Sequence, residues 1–124
     1  MNVAARILTA LVALEHIWIL VLEMFLWAEP IGMKTFGTSP EFAQASAPLA
    51  ANQGLYNGFL AAGLFWGLIR KADGYAVRVF FLVCVVIAGV YGGLTAKPSI
   101  VLVQAAPALL ALILTLLARR GQAA

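Results

Sequence analysis

Charge is scarce in this sequence. Of its 124 residues only 10% are charged, while 64% are hydrophobic. A soluble domain carries about 25% charged residues, so this composition lacks the polar surface that water would require. The net charge of +3 is modest, and no basic stretch has interleaved aromatics, so no nucleic-acid partner is expected. The single cysteine, Cys84, lies inside the apolar run Phe80–Ala88. It offers neither a disulfide framework nor metal-ligand spacing and reads as a small packing residue. One histidine and no helical i, i+4 ligand pair argue against a tight transition-metal site. No nucleophile-plus-base motif, dinucleotide fingerprint or phosphate loop is present, and no cofactor is expected. Period-2 alternation is missing as well. In lipid every backbone N–H and C=O must be paired internally, which leaves helix bundles and closed barrels, and long apolar runs without alternation select helices.

What is present is hydrocarbon-matched length. A spanning helix needs about 20 mostly apolar residues. The segments Pro48–Ile69, Val77–Thr95 and Ser99–Ala118 satisfy this, and Val3–Trp27 does so despite Arg6, Glu15, His16 and Glu23. Arg6 before Ile7–Leu14 resembles the start of a signal peptide. Glu15 and His16 interrupt that run, however, and no small-x-small cleavage site follows, so a retained helix is expected. The expected fold is all-α: a four-helix transmembrane bundle in a single domain over 1–124, with spans 3–27, 48–69, 77–95 and 99–118. Alternating sides places Arg6, Arg70, Lys71, Arg78, Arg119 and Arg120 together, against Lys34 and Lys97. The positive-inside rule then gives N-in and C-in, in a bacterial inner membrane. Trp27 and Trp66 near span ends suit an interfacial aromatic belt, whereas Trp18 lies deeper. The one long loop, Glu29–Ala47, faces out. Thr38-Ser39-Pro40-Glu41 within it reads as a helix start, with a hydroxyl cap, an early proline and a first-turn acid. A short interfacial helix from about Pro40 to Ser46 is expected, with Phe36 and Phe42 dipping into the interface, as a plain connector or a lid.

Ionisable side chains within a span cost a few kcal/mol and usually face the bundle interior. At about 100° per residue, His16, Leu20, Glu23 and Trp27 share a narrow stripe, with Glu15 roughly a quarter-turn aside. His16 and Glu23 are about 10 Å apart along the axis, too far for a direct hydrogen bond. In the next span Asn52, Gln53, Tyr56 and Asn57 occupy an arc of about 140°. Gly54, Gly58 and Ala62 occupy the other side of that helix as a small-xxx-small stripe, which permits close backbone approach and leaves one face for packing and one for polar contact. With the deduced orientation, Tyr91 and Thr95 fall in the outer half of the third span. Gln104 does so in the fourth, where Pro107 removes a hydrogen bond to the Val103 carbonyl. The inner half offers little that is polar beyond Thr9 and Thr115. These depths point to a polar pocket that opens outward, with candidate ligand-binding residues Glu15, His16, Glu23, Asn52, Gln53, Tyr56, Asn57, Tyr91 and Gln104. Each element also has a structural explanation. Glu23 can snorkel to the headgroups. His16 can be an interior histidine bonded to Asn57. The amides can be interhelical glue, and Gly89/Gly93 and Ala88/Gly92 are packing pairs.

These same residues carry a resemblance. The stretches ALEHIWILVLEMFLW (Ala13–Trp27), ANQGLYNGFLAAG (Ala51–Gly63), GVYG (Gly89–Gly92) and VQAAPAL (Val103–Leu109) resemble the domain of unknown function 1304 family. The first two are the more specific, and the likeness covers essentially the whole chain. It implies a small bacterial integral-membrane protein and brings no activity with it.

Three functional classes remain. The favoured one is binding or transport of a small polar or cationic solute between Glu15, Glu23 and the amides, with His16 supplying a group that ordinarily titrates near about 6.5. Four helices are few for alternating access, so a homo-oligomer through glycine-rich helix faces is expected. The second class is an intramembrane enzyme, with Glu15 or His16 as base and Tyr56 or Tyr91 as acid. The third is a scaffold or regulatory subunit whose polar cluster is structural. The expected partners are the lipid bilayer and the solute or ion, with a second copy of the chain in the homo-oligomer and another membrane protein in the scaffold reading.

Overall fold

The computed structural model describes the backbone over residues 3–123 and side chains over 3–120. The ends of the expected 1–124 domain, Met1, Asn2 and Ala124, lie outside the described residues. Among the described residues all regular structure is helical. The elements are α1 (Val3–Met24), α2 (Pro30–Phe36), α3 (Pro40–Ile69), α4 (Gly74–Thr95), a π-helical segment (Val101–Ala105) and α5 (Ala106–Ala123). Three helical stretches are long and apolar enough to cross a membrane: Val3–Met24, Gly74–Thr95 and Val101–Arg120. Although α3 is the longest helix at 30 residues, it is not among them. Asn52, Gln53 and Asn57 dilute its apolar character. Apolar length therefore selects three candidate spans, and a fourth is taken up below as a proposal.

Several expected boundaries move. The first span ends at Met24 rather than Trp27. The amides of Phe25 and Leu26 both bond to the Val21 carbonyl, at 3.0 and 3.2 Å, and the chain turns ahead of Pro30. Proline then occupies the first turn of α2, where its missing N–H costs nothing. Gly37 ends α2 in the left-handed conformation, with φ 69° and ψ 37°. Its N–H bonds to the Met33 carbonyl at 2.8 Å, and that of Thr38 to the same oxygen at 3.1 Å. This paired closure favours glycine.

The interfacial helix expected at Pro40–Ser46 is not a separate element. The predicted start is present, since the Phe42 amide donates to Ser39 Oγ at 3.2 Å. The helix then continues through Pro48 without interruption. Pro48 removes one donor, and the alanines on either side favour helix enough to carry the chain past it. The short helix of this connection is instead α2, at Pro30–Phe36. The third span begins at Gly74 rather than Val77. The fourth begins as a π turn, with the Ala106 amide bonded to the Val101 carbonyl. Pro107 lacks the N–H that would hold α-helical spacing there, and a wider i→i−5 turn precedes it.

The chain divides into two compact units, one of residues 1–13 and 62–124 and the other of residues 14–61. In the first, Leu64, Leu82, Val85, Ala108 and Ala111 are fully buried. Small residues set the spacing: a Cβ on Gly89 would lie 2.7 Å from the Ala105 amide nitrogen and 2.8 Å from its Cβ. A Cβ on Gly63 would collide with the Phe81 ring. In the second unit Trp27 ties the connection down. Its Nε1 donates to Ser46 Oγ at 3.0 Å, and its ring centroid lies 4.9 Å from that of Phe36.

Candidate functional site

The unit of residues 14–61 holds seven of the nine candidate positions and brings some of them together. Asn57 Nδ2 on α3 donates to Glu23 Oε1 on α1 at 2.6 Å. Glu23 is only 6% exposed, so this carboxyl is bonded inside the protein rather than snorkelling to a surface. The contact follows from the glycines beside it. A Cβ on Gly54 would stand 2.7 Å from Met24 Cγ and 3.0 Å from Glu23 Cβ, and one on Gly58 would stand 2.6 Å from Leu20 Cδ1. The α3 backbone thus lies against α1 along the Leu20–Met24 stretch, close enough for the short amide of Asn57 to reach.

His16 is completely buried, two turns before Glu23 on the same stripe of α1. Glu15 is half-buried. Its Oε1 is shielded and has no hydrogen-bond partner, although a lone buried oxygen of this kind is costly. A shielded unbonded carboxyl oxygen, a buried imidazole and, two turns on, a buried bonded carboxyl therefore lie along a single helix.

The polar arc of α3 does not act as one surface. Ala50, Gly54 and Ala61 are buried with Asn57 at their margin, while Asn52, Gln53 and Tyr56 are exposed. At about 100° per residue, Asn52 and Tyr56 project from the side of the helix opposite Gly54. Tyr56 meets Phe59 edge-on, with centroids 5.5 Å apart. Tyr91, 69% exposed, and the half-buried Gln104 belong to the other unit. Among the described residues no three His, Cys, Asp or Glu side chains gather in a way that could hold a metal ion.

The sequence reading missed a second polar cluster, at the C-terminal end of α3. The last carbonyls of a helix lack intrahelical partners. Here the Trp66 carbonyl accepts the Arg70 amide at 3.1 Å, Gly67 accepts Arg78 Nη1 at 2.8 Å, and Leu68 accepts Arg6 Nη2 at 2.6 Å. The arginines were legible as an orientation signal, but their role as carbonyl caps needs the close approach at Gly67, where a Cβ would sit 2.6 Å from Arg78 Cγ. Arg70 also grips Asp73 through two bonds, of 2.8 and 3.0 Å.

Comparison with known proteins gives a family and no activity. The model of a family described as a protein of unknown function (DUF1304) matches residues 10–116. The uncharacterized protein YpaA of Lactococcus lactis subsp. lactis is 32% identical over 115 residues, covering 91% of this chain and 97% of that protein. No solved structure matches.

Proposed function

This chain belongs to the DUF1304 family of unknown function, and on that premise we propose that it is a multi-pass membrane protein that binds a small polar or cationic solute. In this proposal α1, α3, α4 and the Val101–Ala123 stretch form the four spans, N-in and C-in across a bacterial inner membrane. The excess of arginine and lysine at one set of helix ends supports that orientation. The binding region is the polar stripe of α1 with Asn57 of α3, opening to the outer side.

The observation that carries it is the bonded, buried Glu23 (Asn57 Nδ2 to Glu23 Oε1, 2.6 Å) on the same helix as a shielded Glu15 oxygen that has no partner. Holding helices together needs no carboxyl, because neutral amides do that at lower insertion cost. A carboxyl kept on the same helix as a second carboxyl and an imidazole suits recognition of a cationic or hydrogen-bonding group.

The test is a thermal-unfolding screen of the purified protein in neutral detergent against small amines, amino acids and alkali cations. Stabilisation by one of these that disappears in Glu23→Gln supports solute binding. Stabilisation that persists unchanged in Glu23→Gln and Glu15→Gln overturns it. A structural role for the cluster is the second account, because the Glu23–Asn57 bond already joins two helices of this chain. It predicts that the same substitutions lower stability while no solute raises it. For an enzyme the geometry offers less, since Tyr56 and Tyr91 are both exposed.

A further inference from the structure

At the α5 end that carries Arg119 and Arg120, Tyr75, Ile113, Leu116, Leu117 and Arg120 line an open groove of about 310 Å³. Its walls are three aliphatic side chains and an aromatic ring, and its one fixed charge is a guanidinium. Arg119, the next residue along, lies over the Tyr75 ring with Cζ 4.4 Å from the centroid. This cation–π contact holds a second guanidinium at the groove's margin. Opposing charge is nearly absent. Asp73 is the only acidic side chain in the unit of residues 1–13 and 62–124, and Arg70 holds both of its oxygens. The groove therefore combines an apolar slot, a cationic rim and no competing carboxylate, at the end of two helices that are apolar enough to cross a membrane.

An amphiphilic anion satisfies all three features. A soluble anion would pair with the arginines and leave the Ile113, Leu116 and Leu117 walls uncovered. A zwitterionic lipid would cover the walls while presenting its own cation to the rim. An anionic phospholipid does both tasks, with an acyl chain along the aliphatic walls and its phosphate on the guanidiniums, whose fork matches phosphate oxygens in pairs. Basic pockets between helices on the cytoplasmic side suit such headgroups. We propose that this groove holds one anionic phospholipid, its phosphate on Arg119 and Arg120 and an acyl chain against Ile113, Leu116 and Leu117. The site is remote in sequence from the polar stripe of α1 and does not depend on the solute-binding proposal.

The experiment is native mass spectrometry of the full-length protein from neutral detergent. Dioleoyl phosphatidylglycerol and dioleoyl phosphatidylcholine are supplied at equal concentration. The wild type should retain one phosphatidylglycerol in preference to phosphatidylcholine by roughly thirtyfold, the scale that two guanidiniums near a headgroup imply. Arg119→Gln with Arg120→Gln should abolish that preference, and both side chains are exposed, so folding should not suffer. Leu116→Trp fills the slot and keeps both charges, and it should weaken retention of phosphatidylglycerol itself. Leu117→Trp serves the same purpose should the first variant unfold. Chain-free glycerophosphoglycerol should not compete. Equal retention of the two lipids by the wild type overturns the proposal. So does a preference that survives loss of both arginines, or competition by the chain-free headgroup as strong as by the lipid.

Discussion

Asn57 and Glu23, 34 residues apart in sequence, meet through a 2.6 Å hydrogen bond in which the amide donates and the carboxyl accepts. The bond joins side chains of α1 and α3, and its removal has a calculable sign. Asn57→Leu leaves the buried Glu23 without its partner, and an orphaned buried polar group costs about 1–3 kcal/mol. A simple lost interhelical hydrogen bond costs about 0.6 kcal/mol on average. The larger loss is expected, and Glu23→Leu combined with Asn57→Leu should recover part of it, because replacing both partners by apolar groups is nearly neutral. Denaturant unfolding in mixed micelles measures all three variants. A double variant no more stable than Asn57→Leu alone would contradict the orphaned-carboxyl explanation.

The two glycines that let the helices approach should differ in tolerance. A Cβ on Gly58 meets only the far end of the Leu20 side chain, at 2.6 Å from Cδ1, and a rotamer change relieves that. A Cβ on Gly54 meets Met24 Cγ at 2.7 Å, Glu23 Cβ at 3.0 Å and the Leu20 carbonyl oxygen at 3.3 Å, two of which cannot swing away. Gly54→Ala should cost about 1–3 kcal/mol as an overpacked contact, and Gly58→Ala should cost clearly less. Comparing their unfolding midpoints checks the order, and equal losses would show that α1 shifts as a body.

The helical class and three stretches long and apolar enough to cross a membrane were legible because they depend on composition and length. So was the start of α3, where Ser39, Pro40 and Glu41 supply a cap, a fixed φ and a first-turn acid. Its continuation past Pro48 was not, since a proline in sequence looks the same whether the helix breaks or tolerates it. Spacing placed Glu15, His16 and Glu23 toward one side of α1, but it set Asn57 on a polar arc across the helix from the Gly54–Gly58 stripe, whereas Asn57 reaches Glu23 beside those glycines. It could not divide Asn57 from Asn52, Gln53 and Tyr56, because a polar arc of about 140° extends past the width of a close helix contact. The arginine caps on Gly67 and Leu68 were invisible for a different reason: they are long-range contacts, and positive charge at helix ends already had a sufficient explanation.

Those caps give a third expectation. Arg78 is 6% exposed and donates to the Gly67 carbonyl at 2.8 Å. Arg78→Met keeps the apolar stem and removes the donor, so the loss reports the charged hydrogen bond, about 1.5–3 kcal/mol. Arg78→Lys should retain only part of the effect, since an ammonium on a shorter reach cannot reproduce the fork. Thermal unfolding in detergent separates the two variants. A Met variant as stable as wild type would mean that water satisfies the Gly67 carbonyl equally well.

Gly37 tests backbone rather than packing. Its φ of 69° lies in the left-handed region, and nothing stands within 4 Å of the place a Cβ would occupy. Gly37→Ala therefore adds no clash and isolates the conformational cost, about 1 kcal/mol for an L-residue held there. Gly37→Asn, better suited to that region, should lose less. If alanine and asparagine prove equal to glycine in unfolding midpoint, the α2 closure contributes nothing to stability.

Orientation is the last expectation and the one with the widest consequence. The connection holding α2 carries Lys34, and the turn before α4 carries Arg70 and Lys71. With basic residues retained on the cytoplasmic side, the α2 connection should face outward and the turn before α4 inward. α3 must then cross the bilayer, although its amides keep it out of the group selected by apolar length. At 30 residues it is about 45 Å long, enough to span a hydrocarbon core of about 30 Å with a turn or more to spare. Single cysteines at Thr35 and at Ala72, in a background where Cys84→Ala removes the native thiol, should report opposite sides to a membrane-impermeant maleimide in intact cells. Labelling at Thr35 with protection at Ala72 agrees with four crossings, N-in and C-in. Labelling at both, or at neither, would leave α3 on one side of the membrane and would remove the outward-opening site along with it.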